Sequence, residues 1–291
     1  MWPRLPAYGD AKRKTEAFAV ALASHLPRYN DMKARQMTPL KVRGTTLIAR
    51  GQTLICTPLV ARTAAALHAE LLSILPKQPD VIEWRVDFFD RIHEPAPVVA
   101  VAKAIRQAAG AIPIIFTRRA AHEGGEKIDI AEEAVVALYE LVCASGAVDM
   151  IDCELSQSAG YRARLRAASR THDVLLILSH HNFQSTPPIA ELLATLERAA
   201  REGADIAKLA VMPQVPGDVL ALLDATLQAS RRLPIPVIAM SMGAMGAMTR
   251  LCGWMYGSAL TYAVGQSNSA PGQIPIEDLR AALEIIRRAG A

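Results

Sequence analysis

The strongest constraint in this sequence is a repeating texture. From residue 40 onward, short apolar runs with strand character alternate with longer runs whose apolar positions follow a helical period. The strand-like runs lie at about 53–57, 81–87, 112–117, 150–154, 174–181, 206–211, 236–240 and 259–263. Helical runs follow them at about 63–75, 96–109, 130–145, 161–169, 189–202, 215–232, 245–254 and 276–288. The last opens after Pro275 with Glu277 and Asp278 in its first turn, where the helix dipole favours acids. Apolar strands separated by helices are βαβ units of a parallel sheet. Eight units in about 250 residues is the count and length of a (β/α)8 TIM barrel. A doubly wound open sheet is the alternative. It calls for a Gly-rich turn after the first strand, where this chain has Cys56-Thr57-Pro58-Leu59. The expected fold is therefore α/β, a (β/α)8 TIM barrel over residues 40–291. A short N-terminal β-hairpin at about 40–42 and 46–48 precedes its first unit. Residues 1–39 read as an N-terminal extension, helical over about 12–26, with Met37 as an alternative start.

Charge and cysteine content narrow the class. Residues 1–43 hold nine Lys/Arg against Asp10, Glu16 and Asp31, a net of +6. The whole chain is +4, so the remainder carries −2. The basic character belongs to the tail, and no nucleic-acid partner is expected from it. No uninterrupted apolar run of about 18 residues occurs, which argues against a spanning helix, so no membrane partner is expected either. The run Lys12-Arg13-Lys14 before Phe18-Ala19-Val20-Ala21 is too short and lacks a cleavage pattern for an export signal. Cys56, Cys143, Cys153 and Cys252 form no CxxC pair and no zinc spacing. Free thiols in a reducing, cytoplasmic compartment and no bound metal are the expectation.

In a barrel, one sheet face meets the helices and the other the packed interior, so a charge within a strand points inward, toward chemistry at the C-terminal mouth. Val81-Ile82-Glu83-Trp84-Arg85-Val86-Asp87 alternates strictly, placing Glu83, Arg85 and Asp87 on one side. Lys208 stands inside Ile206-Ala207-Lys208-Leu209-Ala210-Val211 and is the only lysine after Lys127. In an apolar pocket such a lysine loses hydration, which favours a neutral amine able to form a Schiff base with a carbonyl. The alternative is a structural Lys208–carboxylate pair. His181 ends the preceding strand in Ser179-His180-His181-Asn182-Phe183 and could move protons for imine chemistry; a metal ligand or a core histidine are the other readings. Arg119 and Glu123 follow the third strand, where the first could hold oxygens and the second could orient an imidazole. After the seventh strand, Ser241-Met242-Gly243 leads to Arg250. That region binds phosphate in many barrels, and Arg250 also suits a carboxylate. Met240, Met242, Met245 and Met248 read as packing around this loop. A polar loop, Ser267-Asn268-Ser269-Ala270-Pro271-Gly272-Gln273, could fold over the mouth.

Taken in order, these segments resemble the type I 3-dehydroquinate dehydratases. The likeness covers about residues 42–291 and rests on Ile55-Cys56-Thr57-Pro58-Leu59, Glu83-Trp84-Arg85-Val86-Asp87, Arg119 to Glu123-Gly124-Gly125, Ser179-His180-His181-Asn182-Phe183, Lys208-Leu209-Ala210-Val211-Met212-Pro213, Ser241-Met242-Gly243 to Arg250, and Ser269-Ala270-Pro271-Gly272-Gln273. The resemblance implies a Schiff base between Lys208 and the ketone of 3-dehydroquinate, with His181 as acid and base and Glu123 holding it. It implies that Arg250 and Gln273 bind the carboxylate, with Ser269 in the lid, and that Glu83, Arg85 and Arg119 hold ring hydroxyls. No cofactor is implied, and a homodimer is. His180 and Asn182 stand where the family motif commonly has tyrosine and aspartate, and Thr249 where it has serine. The aspartate's loss removes one influence on the titration of His181. Two other functions suit the same residues: a class I aldolase with a sugar phosphate on the Gly243/Gly246 loop, and a non-catalytic binder of shikimate-type acids.

Overall fold

The computed structural model describes residues 40–42, 45–48, 53–267 and 269–289, all within one unit that begins at Met37. The expected extension and its helix lie outside the described residues. Two short strands, β1 (Leu40–Val42) and β2 (Thr45–Ile48), form an antiparallel hairpin, and Leu40 packs onto the barrel interior. Then come β3 (Leu54–Leu59), β4 (Val81–Arg85), β5 (Ile114–Thr117), β6 (Met150–Glu154), β7 (Leu175–Asn182), β8 (Ile206–Val211), β9 (Val237–Ser241) and β10 (Leu260–Val264). Each is followed by a helix: α1 (Ala64–Ile74), α2 (Pro95–Ala109), α3 (Glu132–Ala144), α4 (Ala159–Thr171), α5 (Ile189–Arg201), α6 (Pro216–Arg232), α7 (Gly243–Cys252) and α8 (Ile276–Ala289). A two-residue strand, β11 (Ile274–Pro275), runs beside β10 and leads into α8.

The strands from β3 to β9 pair in chain order, all parallel, and β10 pairs with β3. The remaining seam, between β9 and β10, is bridged where Ala259 N–H donates to Val237 O at 2.9 Å. Inward-facing side chains stack in layers. Cys56, Val81, Ile115, Met150, Ile177, Ile206, Ile238 and Leu260, one from each strand, form an apolar floor. Two residues further along their strands, Glu83, Thr117, Asp152, Ser179, Lys208 and Tyr262 form a polar layer above it. Outward residues of the same strands, such as Trp84, Phe116, Leu178 and Leu209, join Leu71, Ile105, Val142 and Leu192 of the helices.

Local chemistry fixes the ends. Thr63 and Ser158 cap α1 and α4 by accepting the N–H of Ala66 and Tyr161 at 3.2 and 3.1 Å. At the floor, Asp80, Asp149 and Asp205 each accept an N–H from a neighbouring strand: Ile55 at 2.8 Å, Ile114 at 2.8 Å and Leu176 at 2.7 Å. Trp84 meets Phe89 and Phe116 edge-on, with ring centroids 5.8 and 5.5 Å apart. Truncating so large a buried ring would cost about 3–5 kcal/mol. Tyr139 on α3 accepts Arg118 N–H and donates to Asp152 O, both at 2.8 Å, which ties the upper ends of β5 and β6 together.

One sequence boundary shifts. Strand β4 ends at Arg85, and residues Val86–Phe88 turn in a 3-10 helix. The turn swings Asp87 off the strand, so that it accepts both Arg85 Nε–H at 2.8 Å and Nη2–H at 2.7 Å. Of the expected methionine packing, Met240 and Met242 are buried, whereas Met245 and Met248 face outward on α7.

Candidate active site

All nine sequence-predicted residues line one cavity at the C-terminal mouth, about 460 Å3 including its opening: Glu83, Arg85, Arg119, Glu123, His181, Lys208, Arg250, Ser269 and Gln273. Strand register brings them there. Ser179 pairs with Lys208 and His181 with Ala210, so the imidazole stands one inward step above the amine on the adjacent strand.

Lys208 Nζ donates to Asp152 Oδ2 and Tyr262 Oη, both at 2.9 Å, and lies 3.5 Å from Glu83 Oε1. Its surroundings are therefore not the apolar pocket expected, but a polar layer with two carboxylates. The reason is the parity of β4 and β6, which turns Glu83 and Asp152 inward at this height. Burial pushes the Tyr262 phenol well above its ordinary value, so it stays protonated and donates to Glu83 Oε1 at 3.3 Å. Burial would also raise Asp152, but Arg119 and Lys208 hold it well below the usual carboxylate range.

His181 Nδ1 lies 2.9 Å from Glu123 Oε2, and that oxygen also accepts the His181 backbone N–H at 3.0 Å. Burial would raise Glu123, but hydrogen bonding to histidine holds it well below its ordinary value, so it is ionised and only accepts. Nδ1 must then carry the proton, leaving the lone pair on Nε2. Burial first, and then the charge of Arg119, lowers His181 to about 3, against the pull of Glu123. The imidazole is neutral at physiological pH and ready to accept a proton. Ser156 completes the support by donating to Glu123 Oε1 at 2.6 Å.

The three arginines differ. Arg85 is clasped by Asp87 and stacks on Phe88, 5.0 Å from its ring centroid. Arg119 donates Nη1–H to Glu154 at 3.0 Å and to Ser179 at 2.9 Å, and places Nη2 2.9 Å from Asp152 Oδ1. Arg250 is 1% exposed and donates only to neutral groups: the carbonyls of Tyr262 at 3.3 Å and Pro271 at 3.1 Å, and Met240 Sδ at 3.9 Å. Its Nε has no partner among the described residues, and no carboxylate pairs with it there. Burial lowers it to about 10. It is a buried cation lacking a counter-ion among the described residues.

The loop after β10 folds over the mouth. Ser269 N–H donates to Gln273 Oε1, and Gln273 Nε2–H to Ser269 Oγ, both at 3.0 Å. Gly243 N–H donates to Pro271 O at 3.2 Å, so it is not free for the phosphate considered from sequence. At Gly246 a Cβ would stand 2.4 Å from Ser241 backbone atoms, so that glycine serves helix–strand contact. Asn182 Oδ1 accepts the N–H of Gln184 and Ser185 at 2.9 and 3.0 Å, closing a turn rather than facing His181. Among the described residues no cluster of three or more His, Cys, Asp or Glu could hold a metal ion.

Sequence reasoning missed Asp152 and Tyr262, which touch Lys208, and Ser156. The signal for Asp152 was present: Met150-Ile151-Asp152-Cys153-Glu154 alternates as β4 does. Tyr262 shares the parity of Leu260. Ser156 sits in a loop, where no periodicity points to it.

The type I 3-dehydroquinase family model matches residues 55–289. A 3-dehydroquinate dehydratase of Albidiferax ferrireducens is 53% identical over 251 residues, 86% of this chain and 95% of that protein. The crystal structure of the Geobacillus kaustophilus 3-dehydroquinate dehydratase superposes with a TM-score of 0.81 at 46% identity, over 86% of this chain and 97% of that one. The type I enzyme of Clostridium difficile, solved with covalently modified comenic acid, gives a TM-score of 0.82 at 36% identity, over 86% and 98%.

Proposed function

The chain belongs to the type I 3-dehydroquinase family, and from that premise we propose how its residues divide the work of a 3-dehydroquinate dehydratase. The enzyme is a hydro-lyase of the shikimate pathway: it removes water from 3-dehydroquinate to give 3-dehydroshikimate. The observation that carries the division is the stacking of a buried amine beneath a neutral imidazole in one cavity.

Lys208 Nζ, after giving up a proton, attacks the ring ketone, and loss of water leaves a protonated imine. Asp152, Glu83 and Tyr262 hold the nitrogen in place throughout. The iminium draws electrons from the adjacent carbon, so His181 Nε2 removes a proton there to give an enamine. The resulting imidazolium is stabilised by ionised Glu123. It then returns its proton to the departing hydroxyl, which leaves as water while the iminium re-forms. Hydrolysis of the iminium releases the enone and restores Lys208. Arg250 supplies the charge for the substrate carboxylate, with Gln273 and Ser269 closing above it. Glu83, Arg85 and Arg119 take the ring hydroxyls.

Borohydride added to enzyme saturated with substrate or product should fix the reduced adduct on the peptide carrying Lys208. The covalent comenic acid adduct named for the Clostridium difficile relative supports this choice of probe. An unmodified Lys208 peptide from active, saturated enzyme would sink the imine route. We further infer a cytoplasmic homodimer. The family resemblance supports the dimer, and four free cysteines support the compartment. No helix among the described residues is long and apolar enough to cross a membrane. Light scattering of the purified chain decides the dimer.

A further inference from the structure

The proton that Lys208 gives up before it attacks the ketone needs a destination. Three oxygens surround Nζ, and they differ. Asp152 Oδ2 accepts from it at 2.9 Å. The other oxygen of that carboxylate takes Ser179 Oγ–H at 2.6 Å and faces Arg119 Nη2 at 2.9 Å. A carboxylate shared between a permanent cation and a lysine is a weak base, so Asp152 anchors the ammonium and does not empty it. Glu83 Oε1 stands 3.5 Å from Nζ, an ion pair without a hydrogen bond. Among the described residues no arginine pairs with Glu83; Oε1 accepts Thr117 Oγ1–H at 3.0 Å and Tyr262 Oη–H at 3.3 Å. Tyr262 Oη bridges the gap, since it also accepts from Nζ at 2.9 Å. A hydroxyl has one proton to give and lone pairs to receive, so it can do both at once, whereas ionised carboxylates only receive. Catalytic hydrogen bonds are commonly longer before substrate binds. Tyr262 is buried, and register with Cys56 of β3 fixes its place in the strand.

We propose that Tyr262 is a catalytic residue, its hydroxyl relaying protons between Lys208 and Glu83 while the imine forms. The proposal rests on the imine route given above and supplies the proton path that route leaves open. Nζ passes a proton to Oη as Oη passes its own to Glu83 Oε1. The amine gains its lone pair, the phenol stays neutral, and Glu83 holds the proton. Burial makes a phenolate costly at this place, so the two transfers go together. Nζ then bonds the ketone carbon while the carbonyl pair moves to oxygen, and one proton crosses from nitrogen to that oxygen. The carbinolamine oxygen is two bonds from Nζ, beside Oη. Oη gives it a second proton and recovers its own from Glu83. The C–O bond breaks, water leaves with that electron pair, and the nitrogen lone pair closes the iminium. Glu83 is a carboxylate again, and no proton is gained or lost overall. His181 is left to serve the carbon proton and the departing hydroxyl.

The imine-forming step is read in a His181→Gln chain, which lacks the base for the next step. That chain is mixed with 3-dehydroquinate and quenched with borohydride at intervals, and mass spectrometry follows the reduced adduct on the Lys208 peptide. Adding Tyr262→Phe deletes Oη alone, since the ring that Nζ approaches at 4.7 Å remains. Adduct should then form at least about tenfold more slowly, less than the full worth of a general acid–base group because water can enter the space of Oη. Affinity for quinate, whose alcohol replaces the ketone and cannot form an imine, should change less than about twofold, as an uncharged contact predicts. Glu83→Gln should slow the adduct comparably. Combined with it, Tyr262→Phe should cost less than about twofold more, because the two residues act as one unit. An adduct rate unmoved by either substitution overturns the relay. So does a tenfold loss from Tyr262→Phe that persists in the Glu83→Gln chain, or one matched by an equal loss of quinate affinity, since Oη would then only hold the site together. Failure of the otherwise unaltered, active enzyme to form any Lys208 adduct removes the imine route itself, and the relay with it.

Discussion

Arg250→Met separates a binding residue from a structural one, because the two roles predict opposite changes in stability. In the folded chain the guanidinium is lowered from 12.5 to about 10 by burial. At 1.36 kcal/mol per pKa unit, holding the charge there costs about 3 kcal/mol, an order-of-magnitude figure. Folded and unfolded forms are both charged below pH 10, so the cost is fully present at neutral pH. Methionine removes it and keeps an apolar stem of similar reach. It also strands the carbonyls of Tyr262 and Pro271, at roughly 1 kcal/mol each. The unliganded variant should therefore melt no lower than the parent, and by up to about 1 kcal/mol, or 2–4 °C, higher. Substrate binding should respond in the other direction. Losing one partner of a buried charge-assisted pair costs about 2–5 kcal/mol, so KM should rise at least about 30-fold. Thermal unfolding without ligand, and initial rates from the enone absorbance, measure the two effects on one sample. A variant that melts more than about 8 °C below the parent with KM unchanged would refute the reasoning, since it would show Arg250 to be a strut.

Two further tests bear on the lid and on acid stability. Gly272 has φ +74°, and a Cβ there would stand 2.2 Å from Gly243 O; Gly272→Ala must shift the loop that carries Ser269 and Gln273, raising KM about tenfold or more with unchanged circular dichroism, and an unaltered KM would count against the loop as a substrate contact. His181 falls from 6.5 to about 3 on folding, and Glu123 and Asp152 are held well below their ordinary values. The unfolded chain thus binds more protons than the folded one, and stability is lost as pH falls: from about 6.5 downward for His181, and below about 4.5 for the carboxylates. Urea unfolding should show about 1 kcal/mol lost per pH unit between 6 and 4.5, and less in His181→Gln; an identical slope in that variant would assign the loss elsewhere.

Most of the fold was legible because strand parity is a local property. In β4 the apolar side repeats every second residue, and in β8 Lys208 is the one charge of an apolar strand, so Glu83, Arg85 and Lys208 could face only inward once the barrel was recognised. The error at Asp87 shows the limit of that argument. Alternation ran on to Asp87 in the sequence, but the backbone had already turned at Val86, and the carboxylate reached back to Arg85. The surroundings of Lys208 were misjudged for a related reason. Its own strand is apolar on both sides in sequence, and the carboxylates that hold it belong to β4 and β6.

Partners across a barrel are set by register and stagger, which no single segment carries. Arg85, Arg119 and Arg250 are alike in the sequence, each at the end of a strand or in the helix after one. The turn after β4 gives Arg85 to Asp87, and register gives Arg119 to Asp152 and Glu154, so both charges are satisfied within the protein. Arg250 comes from α7, between β9 and β10, and the inward residues there are Met240 and Tyr262. Neither carries a charge that can answer it. A cation desolvated without a counter-ion is unfavourable for the empty protein, and the cost falls when an anion enters. The cavity is therefore least content when vacant at the one point where the substrate is always charged. That makes the carboxylate, shared by substrate and product, the handle by which both are held while the imine forms on Lys208.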